Sequence, residues 1–371
     1  MFVANRYQQI ALCAGNTCAY AVVNTTPLVL GALMQSFVLD EAQAGAWITL
    51  ELLVMGVVAL LIAPWMGGTR KRQIAWLAAG VIVVSELAAA GTSSASWMLV
   101  WLTGLGLGAG LMLAANNAII AATSTPDKLF GYAFMVAYGI TALLVFAMAP
   151  AIARTEHAGA YVVLAAFTAL LVPWLRVLPN PGGTITADPV RVVATSRGVI
   201  LLVGIALIGV GMMGFYAYIE RLGVRLGLSP NTIALVFAFQ QIASVFGAAL
   251  AASHGTKVGL LRSLLISTLL HTSAILTAVF GDSLAWFATG VIAEGFTFLF
   301  LLPLQFTLAA QIDPSGRWAA AANGVLMIST GAAPFLVGVL ISAFDYRAIG
   351  WLMLAVSPLG MWAFVTASKT K

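Results

Sequence analysis

Charge is what this chain has least of. Only 8% of its 371 residues are Asp, Glu, Lys or Arg, where soluble domains carry about 25%. A soluble fold with 61% apolar residues would have nothing to cover its surface, so the chain reads as an integral membrane protein. Cysteine is nearly absent. Cys13 and Cys18 stand five positions apart in the first apolar stretch, on different helical faces. That spacing excludes a disulfide or a paired metal site there. Neither a nucleophile elbow, a phosphate-binding glycine loop nor an HExxH motif occurs. The chain therefore reads as a non-enzyme, and no cofactor is expected. The first span is long and no small-residue cleavage site follows it, so no cleavable signal peptide is expected.

What is present is a series of apolar runs of spanning length, with mean hydropathy +1.02. Runs of about 20 residues are helices; outer-membrane strands are half as long and alternate. Twelve spans are predicted, near 8–33, 43–66, 74–92, 96–123, 129–153, 159–178, 198–220, 230–253, 260–281, 283–311, 318–343 and 346–367. The longest connection, "PNPGGTITADPVRVVATSR" (Pro179 to Arg197), is rich in Pro, Gly and Thr and reads as a linker. The expected organisation is all-α: a six-helix bundle over 1–178, a cytoplasmic linker over 179–197 and a second bundle over 198–371.

The net charge of +5 is explained by topology rather than by a nucleic-acid partner. With both termini inside, the cytoplasmic side holds thirteen Lys and Arg, among them Arg70, Lys71, Arg72 and Lys257. Arg154, Arg221, Arg225 and Arg347 fall outside. Basic residues collect on the cytoplasmic side of membranes, so both termini are expected there. The expected setting is a bacterial inner membrane, with the lipid bilayer as partner and a monomer as the working unit.

The halves echo each other. "GGTRKR" (Gly67 to Arg72) follows span two and "HGTKVG" (His254 to Gly259) follows span eight; "LDEAQAG" precedes span two and "LSPNTIA" precedes span eight. Paired six-helix repeats are a transporter signature. Twelve spans, a central linker and this echo resemble the major facilitator superfamily, over the whole chain. That family's loop after span two reads G-x-L-A-D-R-x-G-R-R; "APWMGGTRKR" keeps the glycine and the basic run without the aspartate, and "ALAASHGTK" keeps Leu250, Ala251, Gly255 and Lys257. The family's arginine in span four is missing from "VWLTGLGLGAG", and "FAMAPAIA" in span five is a loose form of its G-P-x-x-G motif. The resemblance implies that spans 1, 4, 7 and 10 line a central cavity and that spans 3, 6, 9 and 12 face lipid.

Polar residues inside the spans are the candidate site. Asn16, Tyr20 and Asn24 recur every four residues, on one helical face that suits a cavity better than lipid. Asn116 follows the glycine run of span four. Met212, Tyr216 and Glu220 share a face of span seven, with Tyr216 the expected substrate contact and the Glu220–Arg221 pair an expected outer gate. Gln241, Gln305 and Asn323 complete the expected substrate contacts. Glu51 and Glu294 lie deep in spans two and ten, where an ionised acid costs roughly 2.5–3.5 kcal/mol on insertion scales. Desolvation favours the protonated form of a carboxyl, so these two are the expected proton-coupling groups. Glu86 and His271 fall in spans that the resemblance places peripherally and are read as structural.

Together these features describe a secondary active transporter of a small organic solute, proton-coupled and working by alternating access. A proton-antiport exporter of drugs or metabolites is the alternative. A copper-type importer is disfavoured because the 13 Met show no Met-x-x-x-Met or His-x-x-x-Met spacing, and a scaffold would not need intramembrane acids. Few cations lie within the spans, so a multiply charged anion lacks the arginine clamp it would want.

Overall fold

The computed structural model describes residues 3–62, 65–66, 70–124, 126–180, 195–255, 257–312 and 317–368. Among them, eleven helices are long and apolar enough to cross a bilayer. In chain order the helices are α1 (Arg6–Phe37), α2 (Glu41–Ile62), α3 (Lys71–Gly91), α4 (Ala95–Ala121), α5 (Pro126–Leu171), α6 (Ser196–Ala217), α7 (Ile219–Arg225), α8 (Pro230–His254), α9 (Leu260–Phe280), α10 (Leu284–Ile312), α11 (Arg317–Ala343) and α12 (Arg347–Ser368). Local chemistry sets several of the starts. Asn5 and Gln8 form a reciprocal capping box ahead of α1. Ser229 caps α8, whose first residue is Pro230.

At 46 residues, α5 would be about 70 Å long if straight, twice what a bilayer core of about 30 Å needs. It accommodates this by turning. Thr155 (φ −141°, ψ 18°) and Glu156 (φ 52°, ψ −129°) leave helical geometry. A non-glycine residue at positive φ costs of order 1–3 kcal/mol, and local bonds hold this one in place. Ser36 donates to the Glu156 carboxylate (2.7 Å) and accepts from the backbone N–H of His157 (3.2 Å). The His157 ring meets the carbonyl of Thr92 at 3.0 Å. The loop expected between spans five and six is thus only two residues wide, and α5 counts as two crossings.

Packing divides the chain into two compact units, one of Met1–Leu39 with Trp47–Asp188 and the other of Asp40–Ala46 with Pro189–Lys371. The first turn of α2, which the sequence reading gave to the first half, counts with the second. The division point falls in the expected linker, of which residues 181–194 lie outside the described residues, as do 67–69 and 256 of the echoed loops.

In the first unit the glycines of α4 set the packing. Gly106 and Gly110 share one face, and a Cβ there would sit 2.4 Å from the carbonyl oxygen of Glu51 and 2.5 Å from that of Met55, both on α2. Gly104 and Gly108 share another face, and theirs would meet Ser85 Oγ at 2.4 Å and Ile82 Cγ1 at 2.7 Å, both on α3. Two glycine pairs spaced by four therefore bring two neighbours against one helix. In the second unit a Cβ on Gly295 of α10 would sit 2.4 Å from the carbonyl oxygen of Gln240 on α8. Gly295 and Gln240 each stand 189 positions after Gly106 and Glu51. The same shift carries Ile82 and Gly108 to His271 and Thr297, which also touch. It carries Thr168 of α5 to Ser357 of α12, and each of these hydroxyls reaches the neighbouring helix, α3 or α9. The repeat heard faintly in the loops is in register inside the helices.

Candidate functional site

In the first unit the stripe on α1 has three fates. Asn16 is buried at 1% exposure, and neither its amide oxygen nor its nitrogen has a hydrogen-bond partner. The Tyr20 ring packs at 5.2 Å on Phe134 of α5. Asn24 donates to the Thr141 hydroxyl of α5 at 3.3 Å. Next to Asn16, Gly15 leaves room for Asn116: a Cβ there would fall 2.7 Å from its Oδ1. Asn116 donates to the carbonyl of Leu12 at 3.1 Å while its own Oδ1 stays unpaired. Asn116 thus sits at the crossing of α1 and α4 against Leu12 and Gly15, whereas Asn24 belongs to the α1–α5 contact.

Glu51 is buried together with Trp47 and Met55, and one of its oxygens has no partner. Its surroundings hold a group that sequence reasoning weighed as structural. Glu86 is fully buried, accepts from Thr168 of α5 at 3.3 Å and interacts electrostatically with Glu51. Tyr161 of α5, also fully buried, interacts with both carboxylates, and its hydroxyl is unpaired. Tyr161 was missed altogether. The one signal in the chain was the glycine pair Gly104 and Gly108, which brings the Ser85–Glu86 face of α3 onto α4.

In the second unit Glu294 of α10 has a fixed partner: Gln240 of α8 donates to its carboxylate at 3.0 Å. Behind this pair, His271 Nδ1 lies 2.9 Å from the Thr297 hydroxyl. Thr297 donates to the carbonyl of Glu294 at 3.0 Å, so His271 is the donor to Thr297, and its buried Nε2 is left without a partner. Gln241 donates to the Tyr216 hydroxyl at 3.1 Å, which joins two expected substrate contacts. Gln305 is fully buried with neither amide atom paired; it stands 189 positions after Asn116, so the two units leave amide groups open at equivalent places. Asn323 lies apart, exposed on α11.

Glu220 and Arg221 form a two-pronged ion pair between adjacent residues. They do not continue the Met212–Tyr216 face. Helix α6 ends at Ala217, and Tyr218 (φ −106°, ψ 10°) starts the separate α7. The hydroxyl of Tyr218 anchors this break, within reach of the carbonyls of Glu41 (2.6 Å) and Pro334 (2.9 Å). Tyr346 donates to the Glu41 carboxylate at 2.9 Å. Burial, then the nearby acidic groups, push both phenols above their ordinary range, so they remain proton donors.

The sequence profile of the Major Facilitator Superfamily matches residues 12–317. No curated protein matches by sequence. Among solved structures, that of the nucleoside transporter NupG aligns at 14% identity with TM-score 0.71, covering 99% of this chain and 100% of that one. A bacterial homologue of the human lysosomal transporter Spinster, in an inward-facing and unoccupied conformation, aligns at 15% identity with TM-score 0.76, covering 98% of each. At such identities the likeness is one of fold.

Proposed function

The chain belongs to the Major Facilitator Superfamily, and on that premise we propose that it is a secondary active transporter that moves a small polar organic solute by alternating access, driven by protons. The observation that carries this reading is the set of open amides, Asn16 and Asn116 in the first unit and Gln305 in the second. A buried polar atom without a partner costs about 1–3 kcal/mol, and native structures leave few of them. Within either unit, a solute rich in hydrogen-bonding groups satisfies the open donors and acceptors of such amides. Such a set favours a neutral or zwitterionic solute over a multiply charged anion, and nucleosides are the first class to test. The buried acids supply the coupling groups, and both termini face the cytoplasm.

The test is a thermal-shift screen of metabolites on the purified protein, since a ligand that binds only the folded state raises its apparent stability. Hits then go to uptake and counterflow in proteoliposomes with an imposed pH gradient. Accumulation of a hit that is lost in Asn16→Leu supports the reading. Its direction relative to the proton gradient separates uptake from the exporter alternative. No stabilising solute, or counterflow unchanged in Asn16→Leu and Gln305→Leu, overturns it.

A further inference from the structure

One groove of the first unit plays no part in the transport reading. It has a volume of about 540 Å³ and lies between the first turns of α1, the start of α5 and the 3₁₀ turn Val172–Val177 that follows α5. Helices α1 and α5 run in the same direction here, because Tyr20 packs on Phe134 and, further along both helices, Asn24 bonds to Thr141. Both therefore enter the groove from the same end, and polarity falls along each wall. On α1 the order is Arg6, then Ala14; on α5 it is Tyr132, then Val136 and Ile140. Trp174 of the 3₁₀ turn closes a third side. At 1.5 Å per residue, Arg6 to Ala14 and Tyr132 to Ile140 each run about 12 Å. That is close to the depth of one leaflet, half of a hydrocarbon core about 30 Å thick.

We propose that this groove binds one phospholipid with an anionic head group, its phosphate on Arg6 and an acyl chain against Ala14, Val136 and Ile140. The site goes beyond the transport reading and does not depend on it.

Three observations single out this occupant. The first is charge. Arg6 is the one charged residue of α1. It is exposed, and among the described residues it has no hydrogen bond or ion pair. No acid is among the groove's lining residues, and the exposed Lys128 and Arg176 stand on its other two elements. Basic residues at a membrane surface attract anionic lipids. The second is the pair of exposed rings, Tyr132 and Trp174, the residue types that collect at the membrane–water boundary. The third is the apolar wall beyond them. A free anion would use Arg6 and leave that wall empty; a chain with a neutral head would do the reverse. An anionic phospholipid uses both.

The test is native mass spectrometry of the full chain, released from nanodiscs of phosphatidylglycerol and phosphatidylcholine in equal amounts, with thermal shift on added lipid as a second reading. The variants are R6Q; V136W and I140W, each of which fills the groove from its α5 wall; and R154Q, which removes an exposed arginine beside the turn at Thr155. Size-exclusion profiles confirm folding. The wild type should retain one phosphatidylglycerol per chain in preference to phosphatidylcholine, and should melt higher when it is added. R6Q should lower that preference about fivefold, the share of one basic residue at an anionic surface. V136W and I140W should lose the retained lipid of either kind, and R154Q should match the wild type. Equal retention of the two lipids by the wild type, unchanged retention in the folded tryptophan variants, or an equal loss in R6Q and R154Q overturns the site. A thermal shift from inorganic phosphate as large as that from phosphatidylglycerol overturns the lipid as its occupant.

Discussion

Gly106→Ala tests whether close backbone approach builds the first unit. The added Cβ would sit 2.4 Å from the Glu51 carbonyl oxygen and 3.0 Å from Val54 Cβ. The first obstacle is backbone, so no rotamer change relieves it. Helix α2 must retreat by about 1 Å to restore ordinary contact, and it loses dispersion contacts along its length as it does so. Overpacking of this kind costs about 1–3 kcal/mol, against a helix-propensity gain of up to about 1 kcal/mol for Gly→Ala. Gly56→Ala is the matched control, because its Cβ meets nothing within 4 Å while the propensity gain is the same. The difference between the two variants is therefore the packing cost alone. At about 2–4 °C per kcal/mol for a unit of this size, Gly106→Ala should melt about 2–12 °C below Gly56→Ala. Fluorescence-detected melting in one detergent reads this directly. Equal melting temperatures would mean that α2 and α4 are not in backbone contact at this glycine, and the packing argument would fall with them.

Asn16→Leu removes two unpaired polar atoms, so its stability should hold or rise while solute-induced stabilisation disappears; a clear loss of stability in the absence of solute would make Asn16 a packing residue. Gln240→Leu takes the donor from Glu294 and should lower the melting temperature by the equivalent of about 1–3 kcal/mol, the cost of leaving a buried polar atom without its partner, with rescue by the further change Glu294→Leu. Tyr218→Phe should cost about 0.5–1.5 kcal/mol through its lost hydroxyl bond; no change would show that the contacts with Glu41 and Pro334 contribute nothing. For topology, cysteines placed at the exposed Arg70 and Lys257 should be protected from impermeant reagents in intact cells, and labelling of either from outside would invert the assigned orientation.

The helices were legible in the sequence because apolar runs of spanning length have few alternatives, and the capping residues and prolines mark their starts. What was illegible depended on contacts distant in sequence. The turn at Thr155 and Glu156 falls between Pro150 and Gly159, where no Gly or Pro marks it, and it is held by Ser36, on another helix. The break at Tyr218 follows from a hydroxyl bound near Glu41, 177 positions away. Glu86 looked like a lone acid on a peripheral helix because its partners, Glu51, Tyr161 and Thr168, come from α2 and α5. The four-residue stripe on α1 was real as a pattern. Periodicity alone had no means of separating Asn24, which meets Thr141, from Asn16, whose amide has no hydrogen-bond partner.

The in-register repeat turns these details into an argument about how the two units diverged. Both keep a glycine against the backbone carbonyl of the facing helix, at Gly106 with Glu51 and at Gly295 with Gln240. The scaffold at that crossing therefore does not require an acid, since the second unit makes the same contact with a glutamine. An amide is also the less costly side chain to bury. Retention of Glu51 in the first unit consequently needs a cause other than packing, and a second carboxylate nearby raises rather than lowers the cost of its charge. The second unit keeps its acid one helix over, at Glu294, but provides it with a donor at 3.0 Å. In the first unit Glu86 likewise has a donor, Thr168 at 3.3 Å, whereas one oxygen of Glu51 has none. The matched units thus differ at this crossing, with an acid that keeps an unpaired oxygen at Glu51 and an amide bonded to Glu294 at Gln240.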